Sequence, residues 1–103
     1  QINHNMKALW YKLDGKNPVP DDTNGIWIFT NDDKRVVGET KVRGATVSTV
    51  FLGLDHSLGR KTPVLFETLV FGGSMDGECN RYETWDEAEK GHQKMVDRVK
   101  CNG

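Results

Sequence analysis

The sequence predicts an α+β domain: an antiparallel sheet of about four strands with one long C-terminal helix packed across one face. Three observations predict it. Residues 46–71, TVSTVFLGLDHSLGRKTPVLFETLVF, form two near-continuous apolar runs around one short polar loop. Strands that are apolar at nearly every position bury both faces and belong at the centre of a sheet. Residues 84–101 then carry a helix start signal and one apolar stripe at helical spacing. Finally, 103 residues make one domain, large enough for a packed core without disulfides or a metal.

The elements follow in chain order. QINHN precedes Met6 and reads as a lead outside the domain, which is placed at 6–101. Residues 6–13, MKALWYKL, put Leu9, Tyr11 and Leu13 on one face and Ala8, Trp10 and Lys12 on the other, a strand pattern rich in aromatics. Asp14-Gly15 ends it, and Asn17-Pro18-Val19-Pro20 forces an extended connection. Residues 21–31, DDTNGIWIFTN, suit a short distorted helix capped by Asp21 or Asp22, with Ile26, Trp27 and Phe29 inward. The run IWIF suits a short strand as well, and Gly25 weakens a helix by about 1 kcal/mol relative to Ala.

Asn31-Asp32-Asp33 is turn chemistry. Residues 35–43 point Arg35, Glu39, Lys41 and Arg43 outward and Val36, Thr40 and Val42 inward, a half-exposed strand whose charges protect a sheet edge. Gly44-Ala45 turns into the central hairpin. Its register follows from like-with-like pairing: Leu54 with Pro63, Leu52 with Leu65, Phe51 with Phe66, Val50 with Glu67, Thr49 with Thr68 and Val47 with Val70. Residues 72–83 read as a polar, Gly-rich connection. Thr84-Trp85-Asp86-Glu87 is a capping box, and Trp85, Ala88, His92, Met95, Val96 and Val99 form the stripe that faces the sheet. One helix cannot cover both faces, so the second face needs the 21–31 segment, loops, or another copy of the chain.

Composition excludes several function classes. A net charge of −1 and a pI near 6.3 leave no basic nucleic-acid footprint. No apolar run reaches the roughly 18 residues that span a bilayer, and no signal-peptide pattern opens the chain. Cys79 and Cys101 make a weak disulfide framework and read as free thiols of a cytoplasmic protein. No HxxxH, HExxH or CxxC spacing is present, so neither a metal nor a cofactor is expected.

Candidate ligand-binding residues are Asp55, His56, Glu67, Arg81 and His92. Asp55-His56 lies at the hairpin mouth, where a carboxylate can orient an imidazole or simply nucleate an Asx turn. Glu67 is the one ionisable group in VLFETLVF and needs a partner if buried, drawn from Arg60, Arg81, His92, Lys12 and Tyr11. His92 falls on the apolar stripe, a position more often held by a hydrogen-bonded core histidine than by a ligand. Gly72-Gly73 and Gly77 precede the helix, but Asp76, Glu78, Glu83, Asp86 and Glu87 oppose a phosphate there.

STVFLGLDHSLG (48–59), PVLFETLVFGG (63–73) and RYETWDEAEKGHQKMVDRV (81–99) resemble a family of small proteins carried by bacteriophages, prophages and bacterial mobile regions. Its members share an STVFLGLDH…LFETxVFGG…RYxTWxEAxxGHxxMV signature. The likeness is close over 46–99 and looser in LWYKLDGKNPVP and DDKRVV. It implies a phage or mobile-element setting, a cytoplasmic location and no particular reaction. It also implies helical character for 21–30, from which Gly25, Ile26 and Ile28 depart. The shared pattern includes Asp55, His56, Glu67, Gly72, Gly73, Tyr82, Trp85, Glu87 and His92.

The leading expectation is a non-enzymatic accessory protein that binds a protein partner or forms a homodimer. The alternative is a small-molecule or nucleotide-binding protein, or a modest hydrolase, with Glu67, His92 and His56 converging on one pocket. Single-stranded nucleic-acid binding through Arg35, Lys41, Arg43, Arg60 and Lys61 is a third, disfavoured by the charge balance.

Overall fold

Residues 46–51 and 66–71 do form the two central strands of the main sheet. The computed structural model describes residues 9–57 and 62–102. Its main sheet has four antiparallel strands in the order β3-β4-β5-β6: β3 (Val36–Val42), β4 (Ala45–Phe51), β5 (Phe66–Phe71) and β6 (Cys79–Tyr82). Helix α2 (Trp85–Asn102) crosses one face of it. A small hairpin, β1 (Tyr11–Asp14) and β2 (Asn17–Pro20), and a one-turn helix, α1 (Ile26–Thr30), complete an α+β fold. Among the described residues no helix is long and apolar enough to cross a membrane.

The central register is the one like-with-like pairing predicts. Val47 faces Val70, Thr49 faces Thr68, Val50 faces Glu67 and Phe51 faces Phe66. The Leu52 N–H donates to Leu65 O at 2.6 Å, which extends the ladder by one pair. Beyond it the predicted Leu54–Pro63 pair gives way: Leu54 bridges to Trp10, and the His56 N–H bonds Val64 O. β3 and β4 join through Arg43 and Gly44, both at positive φ (50° and 76°). That is the type I′ geometry whose twist matches paired strands.

Four expectations are corrected. The first strand does not join the main sheet. It folds back on Asn17–Pro20 as a separate hairpin, with Tyr11 opposite Pro20 and Leu13 opposite Pro18. Asp14 and Asn17 close the two-residue turn, so Pro18 and Pro20 occupy the non-hydrogen-bonded positions, where a missing N–H costs nothing. Leu9, placed on one face with Tyr11 and Leu13, does not share their burial and is exposed. The second correction is β6, which lies inside the segment read as a loop.

The third concerns 21–31. A helix forms, but Ile28 is its buried residue, while Ile26 and Phe29 are 60% and 77% exposed and Trp27 is half-buried. Its N-cap is Gly25, not an aspartate; Asp21 instead accepts from the Thr23 N–H and hydroxyl at 2.9 and 2.6 Å. Gly25 has φ 91°, and a Cβ there would lie 2.8 Å from the Trp10 ring, so packing and backbone both select glycine. The fourth is Val36, which is exposed because a bulge between Val36 and Gly38 shifts its register against β4.

The helix begins as its sequence dictates. Thr84 Oγ1 accepts from the Glu87 N–H at 3.1 Å, and Glu87 Oε1 accepts from the Thr84 and Glu83 N–H groups. Ala88, Gly91, Met95, Val96 and Val99 are its buried face. The core divides into two apolar clusters. One holds Tyr11, Leu13, Ile28, Phe51, Leu65, Phe66 and Ala88; the other holds Ala45, Val47, Val70, Met95, Val96 and Val99.

Candidate functional site

A polar seam crosses the helix–sheet interface between the two clusters. Alternation along β4 and β5 turns Thr49 and Thr68 toward α2, and both are fully buried. Their hydroxyls are hydrogen-bonded to each other. His92, arriving from the helix stripe, places Nδ1 at 2.7 Å from Thr49 Oγ1 and Nε2 at 2.9 Å from Thr40 Oγ1. At the other end the Tyr82 hydroxyl donates to Thr68 Oγ1 at 3.1 Å.

One direction of donation satisfies the whole chain. Tyr82 donates to Thr68, Thr68 to Thr49, and Thr49 to His92 Nδ1; Nε2–H then donates to Thr40. The imidazole is neutral in this arrangement, and desolvation by burial also holds its pKa below the ordinary histidine value. Two glycines make room. A Cβ at Gly38 would lie 3.1 Å from His92 Nε2, and a Cβ at Gly91 would overlap the Tyr82 phenol.

The other candidates lie elsewhere. Glu67 faces away from α2, because Thr68 beside it faces inward. It is not buried between sheet and helix, as its apolar neighbours suggest. It pairs with Arg81 on β6 at 3.0 Å and accepts from the Cys79 thiol at 3.4 Å. Desolvation first, and then the bond to Glu67, push the Cys79 thiol up, which favours its protonated form.

Asp55 holds the hairpin mouth. Its carboxylate accepts from the Ser57 N–H, the Ser57 hydroxyl and the Val64 N–H at 2.8, 3.0 and 3.0 Å. Its charge, after burial, also pushes the Tyr11 phenol up. His56 Nδ1 lies 2.7 Å from Leu54 O, not on Asp55. Arg60 and Lys61 lie outside the described residues.

The five candidates therefore occupy three places: Glu67 with Arg81 on the outer face of the sheet, His92 inside the interface, and Asp55 with His56 at the hairpin mouth. No group of three His, Cys, Asp or Glu able to hold a metal occurs among the described residues. Compared with protein-family models, curated proteins and solved structures, the chain matches none. The geometry alone must carry a functional reading.

Two further features bear on function. The first is the sheet's second face, for which the sequence required a cover from the 21–31 segment, loops or another copy, and the 21–31 helix does not supply it. The outer face of the main sheet has no covering element among the described residues: α2 contacts the inner face, and α1 and the hairpin pack with Phe51 and Phe66 on that same side. Val50 and Leu69 are half-buried on the outer face and Phe71 is 53% exposed, with Glu39, Lys41 and the Glu67–Arg81 pair around them. The signal was there in the spacing, since Val50, Leu69 and Phe71 alternate with the residues that meet the helix. The second feature is a trough of about 440 Å³ between β6 and α2, which no motif announces.

Proposed function

We propose that this protein is a phage or mobile-element accessory factor that acts by binding another protein surface, and that the open face of its sheet is where it binds. The observation that carries the reading is the contrast between the two faces. The acid–base candidates away from that face are already engaged: His92 bonds Thr49 and Thr40, Asp55 bonds Ser57 and Val64, and His56 Nδ1 lies against Leu54 O. The outer face instead leaves Phe71 exposed and Val50 and Leu69 half-exposed, ringed by charges of both signs. A mixed apolar and charged patch of this kind is the usual make-up of a protein–protein surface. The phage setting is supported by the sequence signature over 46–99.

A second copy is the simplest occupant, because Glu39 and Lys41 on one sheet can oppose Lys41 and Glu39 on another. Sedimentation velocity over a concentration series tests this. A reversible dimer is expected, and Leu69→Glu or Phe71→Glu, which keep the inner face intact, should give a folded monomer. A protein that stays monomeric near millimolar concentration, with both variants behaving like the parent, would remove the second copy as occupant. Affinity capture from infected cells with the parent and Phe71→Glu as baits would then test for a heterologous partner. Identical captures from the two would remove the sheet face as the surface.

A further inference from the structure

The trough between β6 and α2 is built to take a strand. Next to β5, the Leu65 carbonyl accepts from the Leu52 N–H just past β4, while its own N–H reaches the Tyr82 carbonyl at the end of β6. The Val70 N–H donates to Glu78 O; with the β4 register this makes Phe66, Thr68 and Val70 the residues whose main-chain groups face β6. Asn80 and Tyr82 return those bonds. The N–H and C=O groups of Cys79 and Arg81 therefore point outward from the sheet edge, and nothing among the described residues pairs with them. An edge in this state is a template for a further strand.

The wall opposite that edge is cationic. Lys90 and Lys94 stand one helical turn apart on α2 and line the trough with Arg81. Neither lysine has an acidic partner among the described residues, and the one carboxylate in the trough, Glu87, is committed to the helix cap. Like charges at this spacing destabilise an isolated helix slightly. Their rise along the axis, about 6 Å, nearly matches the roughly 6.7 Å between alternate residues of an extended strand. The alignment is suitable as well. α2 runs back along β6, with Gly91 against Tyr82 and Arg98 3.0 Å from Glu78.

We propose that this trough binds an extended acidic peptide segment of another protein, which adds to β6 as a fifth strand and sets alternate carboxylates on Lys90 and Lys94. A second copy of the chain does not fit here, because pairing two β6 edges would bring both lysine rows and both Arg81 side chains together. The proposal concerns a different surface from the sheet face and stands or falls separately.

The test is fluorescence anisotropy with a labelled heptapeptide that alternates Glu with Val and Thr. Comparison ligands are the same peptide N-methylated on the residues that would bond β6, its Lys-for-Glu counterpart, and an oligothymidylate. Saturable binding to the acidic heptamer is expected. N-methylation, Lys-for-Glu exchange in the peptide, and the double variant Lys90→Glu/Lys94→Glu should each weaken it about tenfold or more, roughly 1.4 kcal/mol. Cys79→Pro should weaken it too, since it removes an outward N–H while sparing the bonds to β5. Melting curves establish that each variant is folded. Absence of saturable binding near millimolar peptide would overturn the proposal, and so would equal binding of the N-methylated peptide. Oligothymidylate binding as tight as the heptamer and lost in the same lysine variant would reassign the trough to polyanions.

Discussion

Gly91→Ala separates helix propensity from packing, because the two predict opposite signs. In an exposed helix interior this change stabilises by about 1 kcal/mol. Here the new Cβ would fall inside the Tyr82 phenol, so the ring must leave its place beside the helix. Losing an aromatic side chain's burial costs about 1.5–3 kcal/mol, and losing the Tyr82–Thr68 hydrogen bond costs about 1 kcal/mol. After the helix gain is subtracted, a net loss of about 2 kcal/mol is expected, with the melting temperature lower by roughly 4–8 °C for each of those kcal/mol. The decisive comparison is a double-mutant cycle by urea denaturation. In a Tyr82→Ala background the steric conflict is gone, so Gly91→Ala should revert to stabilising by about 1 kcal/mol. Stabilisation in both backgrounds would refute the packing of β6 against α2.

Other outcomes follow from the same contacts. His92 titrates below its ordinary value when folded, so the unfolded chain binds the proton first; stability should be full above about pH 6.5, fall as the pH drops below it, and level off below the folded-state pKa. In His92→Gln that part of the pH dependence of the urea midpoint should vanish. Arg43→Asn should stabilise by about 0.5–1 kcal/mol in thermal denaturation, because asparagine accepts the positive φ that arginine resists. Thr84→Ala should cost about 1 kcal/mol by removing the N-cap acceptor, measured the same way. Glu67→Gln should change stability by less than about 1 kcal/mol, as suits a partly solvated pair; a loss of several kcal/mol would return Glu67 to the core.

What could be read in the sequence was whatever side-chain pattern controls. The β4–β5 register was legible because a one-residue slip would separate Phe51 from Phe66 and Thr49 from Thr68 together. The capping box and the stripe on α2 were legible for the same reason. Elements held through the backbone were not. CNRY has no apolar alternation, yet it pairs with β5 through main-chain bonds and polar side-chain contacts, and Pro18 and Pro20 look like breaks although they sit where no bond is needed. Glu67 was misread because a half-buried outer face and a buried inner face both read as apolar. Of the candidate site, His92 was placeable on the stripe, and Thr49–Thr68 was a predicted pair. That Thr40 and Tyr82 complete the chain depends on Gly38 and Gly91 leaving space, which no single position reveals.

One face of the sheet lies under α2 and the other has no cover among the described residues, and single-cysteine labelling measures that difference directly. In a Cys79→Ser/Cys101→Ser background, at a dilution where the protein is monomeric, thiol reaction rates are compared at Leu69→Cys and Val70→Cys. Labelling is predicted to be fast at 69 and strongly protected at 70. Equal protection at both positions, or faster reaction at 70, would contradict it.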